Sequence, residues 1–585
     1  MKKSVFLFLV AAFLSPGDMT AQDIPNARHP DDPARNPVPE ERKGEVITCE
    51  FVSTVFYPGT KRTYRVYIPK SYKSGQPACL YVGMDGISFD APTVFDNLIA
   101  TGEMPVTIGV FVSPGTVYDR DGEPVRFNRS NEFDRTDDTF VRFLAEELLP
   151  DAETRQTSDG RTIRLSTNPA DRAIAGNSSG AICAFTAAWN RPDLFSRVFS
   201  AIGTYVPMRG GNEYPALIRK TEPKPIRIFL QDGARDTWNP LFGSWFDANL
   251  NMQSALSFAG YEVAHAWGAG GHDGEHAHAI FPDVLRWLWK GWPNSVACST
   301  SKNNMLEQIL DPDSKWELLE TPFTPYGRIC SNKNGEALIT GDDRRTVYCT
   351  GTDLKTEKRT VLPAGEKLSG CNGDTFYTTD GRSIIAYEKN KGGKTLLKGR
   401  SGIKSLLAVN EDCIYVTRQD SKDGNRNIWL IRRNGTEKLI DSRPDGGAEL
   451  AISPGHTMMI CSEESSGWLL NYVMNGDGSL SSGQQWYWLH NPDHVDRREK
   501  GSMAFDTDGN LYVATPAGVQ VCDHNGRVRA ILSLPSGNVS SLCFAGEKKN
   551  LLFIVSGGRI YYRRLKIQGA TFDMPPVRVQ SQGAG

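Results

Sequence analysis

Histidine is scarce in this 585-residue chain, with nine in all. Between a polar leader and residue 294 only His265, His272, His276 and His278 occur, so any imidazole base in that half must come from this cluster. Long apolar runs are also lacking. No segment reaches ~18 uninterrupted apolar residues, the length a bilayer-spanning helix needs. Neither sign of charge is in excess: 66 Lys and Arg stand against 68 Asp and Glu, with no long run of one sign. Nothing here reads as an electrostatic footprint for nucleic acid or an anionic membrane. The eleven cysteines form no C-x-x-C pair and no metal-ligand spacing. Cys330, Cys349, Cys413, Cys461, Cys522 and Cys543 sit in apolar, strand-like runs and read mainly as buried free thiols, with room for one or two disulfides in an oxidising compartment.

What is present divides the chain. Met1-Lys2-Lys3 ahead of an apolar run from Val5 to Leu14 reads as a secretory signal over 1–21, cleaved after Ala21, and predicts a secreted or periplasmic protein. Residues 22–44 are rich in Pro, Asp, Arg and Asn and read as an extended leader. Over 45–293, apolar strands (Val106 to Val112, Arg197 to Ile202, Ile226 to Gln231, Glu262 to Trp267) alternate with helical stretches (Asp138 to Pro150, Trp245 to about Ala259, Asp283 to Trp292). That alternation predicts a mostly parallel, doubly wound sheet. After a polar linker, 294–309, helical periodicity fades, and strand-rich units centred roughly 35–45 residues apart fill 310–575. Six such units predict an all-β six-bladed propeller, with a pair of β-sandwiches as the alternative.

The chemistry gathers at Arg172-Ala173-Ile174-Ala175-Gly176-Asn177-Ser178-Ser179-Gly180, an apolar strand running into Gly-x-Ser-x-Gly and then a helix-like stretch. A strand that turns sharply into a helix holds a serine hydroxyl out at its apex, and glycines on either side relieve the crowding. A serine hydroxyl is a poor nucleophile until a base takes its proton and an acid orients that base. In an α/β-hydrolase the order along the chain is Ser, then Asp or Glu, then His. His272, in a Gly-rich loop past the strand Glu262 to Trp267, is the favoured base, and His276 its competitor; His265 lies within the strand. On the preceding strand's loop, Asp232-Gly233 reads as a turn and Asp236 lies farther along, so Asp236 is favoured over Asp232 as the acid. Oxyanion donors are expected at Ser179 and in the loop Asp85-Gly86-Ile87. His276-Ala277-His278 with Asp273 and Glu275 hints at a metal, but histidines two apart suit a strand and this stretch is Gly-rich, so no metal is expected there.

The run Asn128-Arg129-Ser130 through Glu132-Phe133-Asp134, the Glu147-Leu148-Leu149-Pro150 helix end, Gly176 to Gly180, Asp232 to Asp236 and Gly271-His272-Asp273 resemble the esterase D/enterochelin-esterase-like family, which includes feruloyl and acetyl xylan esterases. The resemblance implies Ser178 as nucleophile, His272 as base, Asp236 as acid, and an oxyanion hole at Ser179 with Gly86 and Ile87. It implies no cofactor, and Asp85 and Arg129 are expected at the substrate. Residues from about 310 to 570, through phrases such as Asp508-Gly509-Asn510-Leu511-Tyr512-Val513-Ala514, resemble gluconolactonase/regucalcin-like six-bladed propellers. Those enzymes hold a divalent cation by a Glu, an Asn and an Asp in the central channel, but the corresponding positions here read Thr324-Pro325-Tyr326-Gly327, Gly447-Ala448-Glu449 and Lys500-Gly501-Ser502-Met503. The expectation is therefore a secreted serine carboxylesterase acting on ester-bearing saccharides, with a non-catalytic propeller in which Trp468, Trp486, Tyr487 and Trp488 offer surfaces for sugars. The alternatives are a siderophore ester hydrolase using Arg126 and Arg129, or a metal-binding lactonase propeller beside an inactive hydrolase domain.

Overall fold

The computed structural model describes residues 32–577 apart from 389–391, 409–412, 421, 433, 445, 465, 492–499, 535–537 and 572–573. The signal-like run and the leader up to residue 31 lie outside the described residues. The chain divides into two units, residues 32–215 with 224–299, and residues 216–223 with 300–577.

The first unit is built on strands β1 (Glu45–Val52), β2 (Lys61–Ile68), β3 (Cys79–Met84), β4 (Thr107–Val112), β5 (Thr116–Tyr118), β6 (Pro124–Phe127), β7 (Arg172–Asn177), β8 (Arg197–Ala201) and β9 (Arg227–Gly233). A short hairpin, β10 (Trp238–Asn239) with β11 (Gly243–Ser244), precedes β12 (Glu262–Gly268). The sheet order is β12-β9-β8-β7-β3-β4-β2-β5-β6, with β1 on β2; the run from β12 to β4 is parallel. β3, β4, β7, β8 and β9 are almost wholly buried, as strands covered on both faces must be.

Along a strand successive side chains alternate between faces. One face carries Tyr81, Phe111, Ala173, Ala175, Phe199 and Phe229 and is covered by the helices Ala91–Thr101 and Glu275–Trp289, through Val94, Phe95, Phe281 and Leu285. The helices Ser179–Asn190 and Trp245–Phe258 cover the other. The described part of the leader is tied down: Ala34 is buried, and Asp32 pairs with Arg286 at 2.7 Å. The helix expected from Asp138 runs Thr139–Phe143, widens into a π turn at Leu144–Leu148 and continues to Glu153. Pro150 lacks an N–H and its ring crowds the preceding turn, so the helix opens there instead of breaking.

The second unit holds six four-stranded antiparallel sheets. Five are formed by consecutive strands, and the sixth joins Glu317–Leu319 to the last three strands, Val539–Ala545, Leu551–Ser556 and Arg559–Arg564. Pairing the first strand with the last closes the ring and removes the exposed edges an open array would leave. Residues 304–309, read as linker, are instead the helix Asn304–Ile309. Asn303 caps it, and Met305, Leu306 and Ile309 enter the propeller core. Cys330 and Cys371, on the first strands of adjacent blades, form a disulfide.

One buried ion pair fixes the short helix Arg129–Phe133. Arg62 bonds Glu132 at 2.8 and 3.0 Å with both side chains fully buried. Glu132 also accepts from the Gly115 amide, and the guanidinium lies 4.2 Å over the Phe143 ring. Removing one member of such a pair strands the other in a low-dielectric interior. Glu132→Ala is expected to lower the unfolding free energy of the first unit by about 3–5 kcal/mol, read as a shifted first transition in urea denaturation.

Candidate active site

Five neighbouring strands deliver the site at their C-terminal ends, in sheet order β12, β9, β8, β7 and β3. At the end of β7, Ser178 has φ 56° and ψ −120°, a conformation L-residues rarely adopt and that costs about 1–3 kcal/mol. The turn is held by the Ser178 amide donating to Ala201 O at 3.0 Å and by the Ala181 amide donating to Ser178 O at 3.0 Å. Both flanking glycines are required by space. A Cβ on Gly176 would lie 2.3 Å from the Gly180 carbonyl, and one on Gly180 would lie 2.8 Å from Met84 Cβ.

His272, on the loop after β12, places Nε2 2.9 Å from Ser178 Oγ and Nδ1 2.6 Å from Asp236 Oδ1. The expected nucleophile, base and acid therefore meet. Burial alone would push the Asp236 carboxyl up, but hydrogen bonds from His272 and Asp232 outweigh it and hold the group below the usual aspartate range. With Asp236 ionised, Nδ1 carries the imidazole proton and Nε2 is left to accept from the serine hydroxyl. The competing base is placed elsewhere. The last helix begins at Glu275, eight residues earlier than the sequence pattern indicates, and His276 is buried on it, 3.3 Å from Gln231 Nε2. His265 stacks on Trp267 within β12. Asp232 is fully buried, accepting from the Gly233 amide and from Asn249, and it is Asp236 that lies within hydrogen-bonding distance of His272.

Two residues at the nucleophile were not legible in the sequence. Thr204 Oγ1, past β8, lies 3.1 Å from Ser178 Oγ, and Trp245 Nε1 donates to Thr204 Oγ1 at 3.2 Å. Donor accounting orders the chain: Trp245 N–H to Thr204, Thr204 O–H to Ser178, Ser178 O–H to His272. Trp245 also packs edge-on against the His272 ring at 6.0 Å. No motif marks a threonine three residues beyond a strand; only sheet order brings it here.

The oxyanion expectation needs one correction. The Gly86 amide donates to Val112 O at 3.3 Å and is not free for substrate, because Asp85 (φ 62°) and Gly86 (φ 85°) turn the backbone back on β4. Among the described residues the amides of Ser179 and Ile87 have no protein acceptor, so these two fit the donor role. Asp85 and Arg129 are brought together, Nε and Nη2 each 2.8 Å from the carboxylate, with Asp85 close to Gly180 at the helix N-terminus. An open cleft of about 500 Å³, lined by Ser88, Phe89, Asn177, Gly274, Glu275 and His278, adjoins the elbow.

In the second unit, the resemblance implies a divalent cation in the channel between the first strands of the blades. Arg328 reaches across it, donating to Ser369 O and Ser405 Oγ at 3.1 Å each and pairing with Glu449. The nearest carboxylate is thus already neutralised by a guanidinium. Among the described residues no three His, Cys, Asp or Glu side chains converge to hold a metal ion. The donor set does not fit a cation, since hard divalent ions need several oxygen ligands.

Residues 56–277 match the Esterase family model, and residues 310–558 match the SMP-30/Gluconolactonase/LRE-like region model. The first unit therefore carries an esterase domain and the second a gluconolactonase-like six-bladed propeller. A gluconolactonase of Zymomonas mobilis is 27% identical over 161 residues, 26% of this chain and 44% of the relative, so the chain spans less than half the length of that curated relative. A solved ferulic acid esterase is 21% identical over 42% of this chain and 99% of its own, with a TM-score of 0.34. The enterochelin esterase of Shigella flexneri is 21% identical over 43% and 59%, with a TM-score of 0.33.

If the Thr204 hydroxyl sets the serine rotamer, Thr204→Val deletes about 1 kcal/mol of positioning and lowers kcat on a chromogenic ester about five- to tenfold with KM nearly unchanged. An unchanged kcat would assign Thr204 to packing alone.

Proposed function

We propose that this protein is a secreted serine carboxylesterase that hydrolyses carbohydrate-linked esters, with feruloyl or acetyl groups as the leading acyl classes. The observation that carries the reading is the connected Ser178–His272–Asp236 array, with the nucleophile at a strained turn that leads straight into the helix whose first amide, Ser179, has no acceptor among the described residues. Ser178 Oγ attacks the ester carbonyl as His272 Nε2 takes its proton. The developing oxyanion is met by the Ser179 and Ile87 amides, aimed before any charge forms. His272 then hands the proton to the leaving alcohol, and a water activated by the same imidazole releases the acid from Ser178. Asp236, ionised throughout, keeps the imidazole in one tautomer and stabilises its charged form.

The surroundings favour a planar acyl group or a sugar over a highly charged substrate. Trp238, 71% exposed, stands on the hairpin that follows Asp236, and Trp245 borders the base. Arg129 is paired with Asp85, whereas Arg126 donates to the uncharged Asn128 and keeps its charge. The pairing with Asp85 offsets the charge of Arg129 toward a catecholate, which weighs against the siderophore reading. The basic-then-apolar start of the chain and the Cys330–Cys371 disulfide both support export to an oxidising compartment. The propeller is read as non-catalytic.

A fluorophosphonate is expected to label the folded protein at Ser178 alone, mapped by peptide mass, and Ser178→Ala to abolish both labelling and turnover. EDTA is expected to leave ester hydrolysis unchanged. Absence of labelling in folded protein would overturn the assignment. Among methyl ferulate, acetylated xylan and a catecholate ester, the first two should turn over; hydrolysis of the catecholate ester alone would move the protein to the siderophore class.

A further inference from the structure

Asp232, one residue before the end of β9, has its side chain wholly inside the protein. Its Oδ1 accepts from the Gly233 amide at 2.7 Å and its Oδ2 from Asn249 Nδ2 at 2.8 Å. The turn after it, closed by the Asp236 amide donating to Gly233 O at 2.9 Å, folds Asp236 back so that the two carboxyl groups stand within hydrogen-bonding reach. Asp236 uses Oδ1 for His272 and for the Thr237 amide, while its Oδ2 is buried and receives no donor as long as both groups are counted as carboxylates. Two carboxylates cannot bond one another, and two buried like charges in contact cannot both persist. One proton resolves both problems.

The proton's place follows from the partners. Asp236 is held ionised by His272, so the neutral member of the pair is Asp232. Asn249 cannot take that proton, because its Nδ2 also donates to Gly203 O at 2.9 Å and Trp245 O at 3.0 Å, which fixes the amide with its nitrogen toward Asp232. Asp236 Oδ2 is the acceptor that remains. Resting on the serine-esterase reading, we propose that Asp232 is a positioning residue of this site: a buried carboxylic acid whose O–H donates to Asp236 Oδ2 and fixes the carboxylate that orients His272.

Burial, then the hydrogen bond to Asp236 and its charge, push Asp232 up to about 9, in keeping with a neutral group at pH 7. The groups packed around it are Asp236 on its own loop, His272 through Asp236, uncharged Asn249 from the helix Trp245–Phe258, and Trp267 as its register partner on β12. No cation faces it among the described residues, so nothing competes with the proton. As a group with a raised folded-state pKa, Asp232 stays protonated in the fold where the unfolded chain is ionised. Stability therefore falls as pH rises from the ordinary aspartate range toward 9.

The test uses the full chain, Asp232→Asn and Asp232→Leu. Difference infrared spectra at pH 7 between wild type and Asp232→Asn are expected to lose a protonated-carboxyl C=O band; loss of a carboxylate band instead overturns the proposal. Asp232→Asn can still donate to Asp236 Oδ2, although its amide nitrogen cannot accept as one of the two Asp232 oxygens does from Gly233 or Asn249. It should therefore keep more of kcat/KM on 4-nitrophenyl acetate than Asp232→Leu, which should lose about tenfold or more in kcat with little change in KM. The wild-type rate should also decline at alkaline pH through a group near 9 that is absent from the Asp232→Asn profile. Equal kinetics for Asp232→Leu and wild type, or an Asp232→Asn as impaired as the leucine variant, overturns it. The infrared readout needs no turnover: a protein that shows the band but hydrolyses no ester supports the protonated pair and sinks the esterase reading instead.

Discussion

The contact between Gly176 and Gly180 is the constraint on which the first unit's chemistry depends. With no room for a Cβ on Gly176 against the Gly180 carbonyl, the strand can turn into the helix within a single residue, and that residue is forced to positive φ. Strain at Ser178 holds it at the strand-to-helix turn and leaves the Ser179 amide at the start of the helix, the end that favours negative charge. The same turn uses the Ala201 carbonyl of the neighbouring strand as its acceptor, which ties the nucleophile to β8 and brings Thr204 alongside.

From there the site reads as a line of hydrogen bonds running across the sheet edge. Trp245, Thr204, Ser178, His272, Asp236 and Asp232 each satisfy the next, and Asn249 closes the far end. A buried polar network of this kind is stiff only when every member is satisfied. The proton assigned to Asp232 supplies the donor that Asp236 Oδ2 would otherwise lack, and it makes the position of the acid as well defined as that of the base.

The propeller follows a different logic. Its ring closes by pairing the first strand with the last three, and the channel is spanned by a guanidinium that bonds groups from three other blades. A side-chain cation attached to the chain gives the electrostatic tie that a bound divalent ion would give, without an exchangeable coordination site.

Much of this was open to reading along the chain. Strand–helix alternation, six evenly spaced strand-rich units and a Gly-x-Ser-x-Gly turn are local patterns, and local sterics and periodicity determine them. The scarcity of histidine narrowed the base to four candidates, and turn chemistry set Asp236 ahead of Asp232. What the sequence could not settle were relations between segments far apart. His276 was excluded because its helix starts at Glu275 and buries it, Gly86 because its amide is spent on Val112, and Thr204 and Trp245 entered because β8 lies beside β7 in the sheet. The linker at 304–309 became a core helix because the propeller offered its apolar side a place to pack. Residue types and their order are enough to specify which chemistry the chain carries. Which atom holds each proton is decided only when the sheet sets distant loops side by side, because hydrogen bonds act over about 3 Å and the sequence records no such distances.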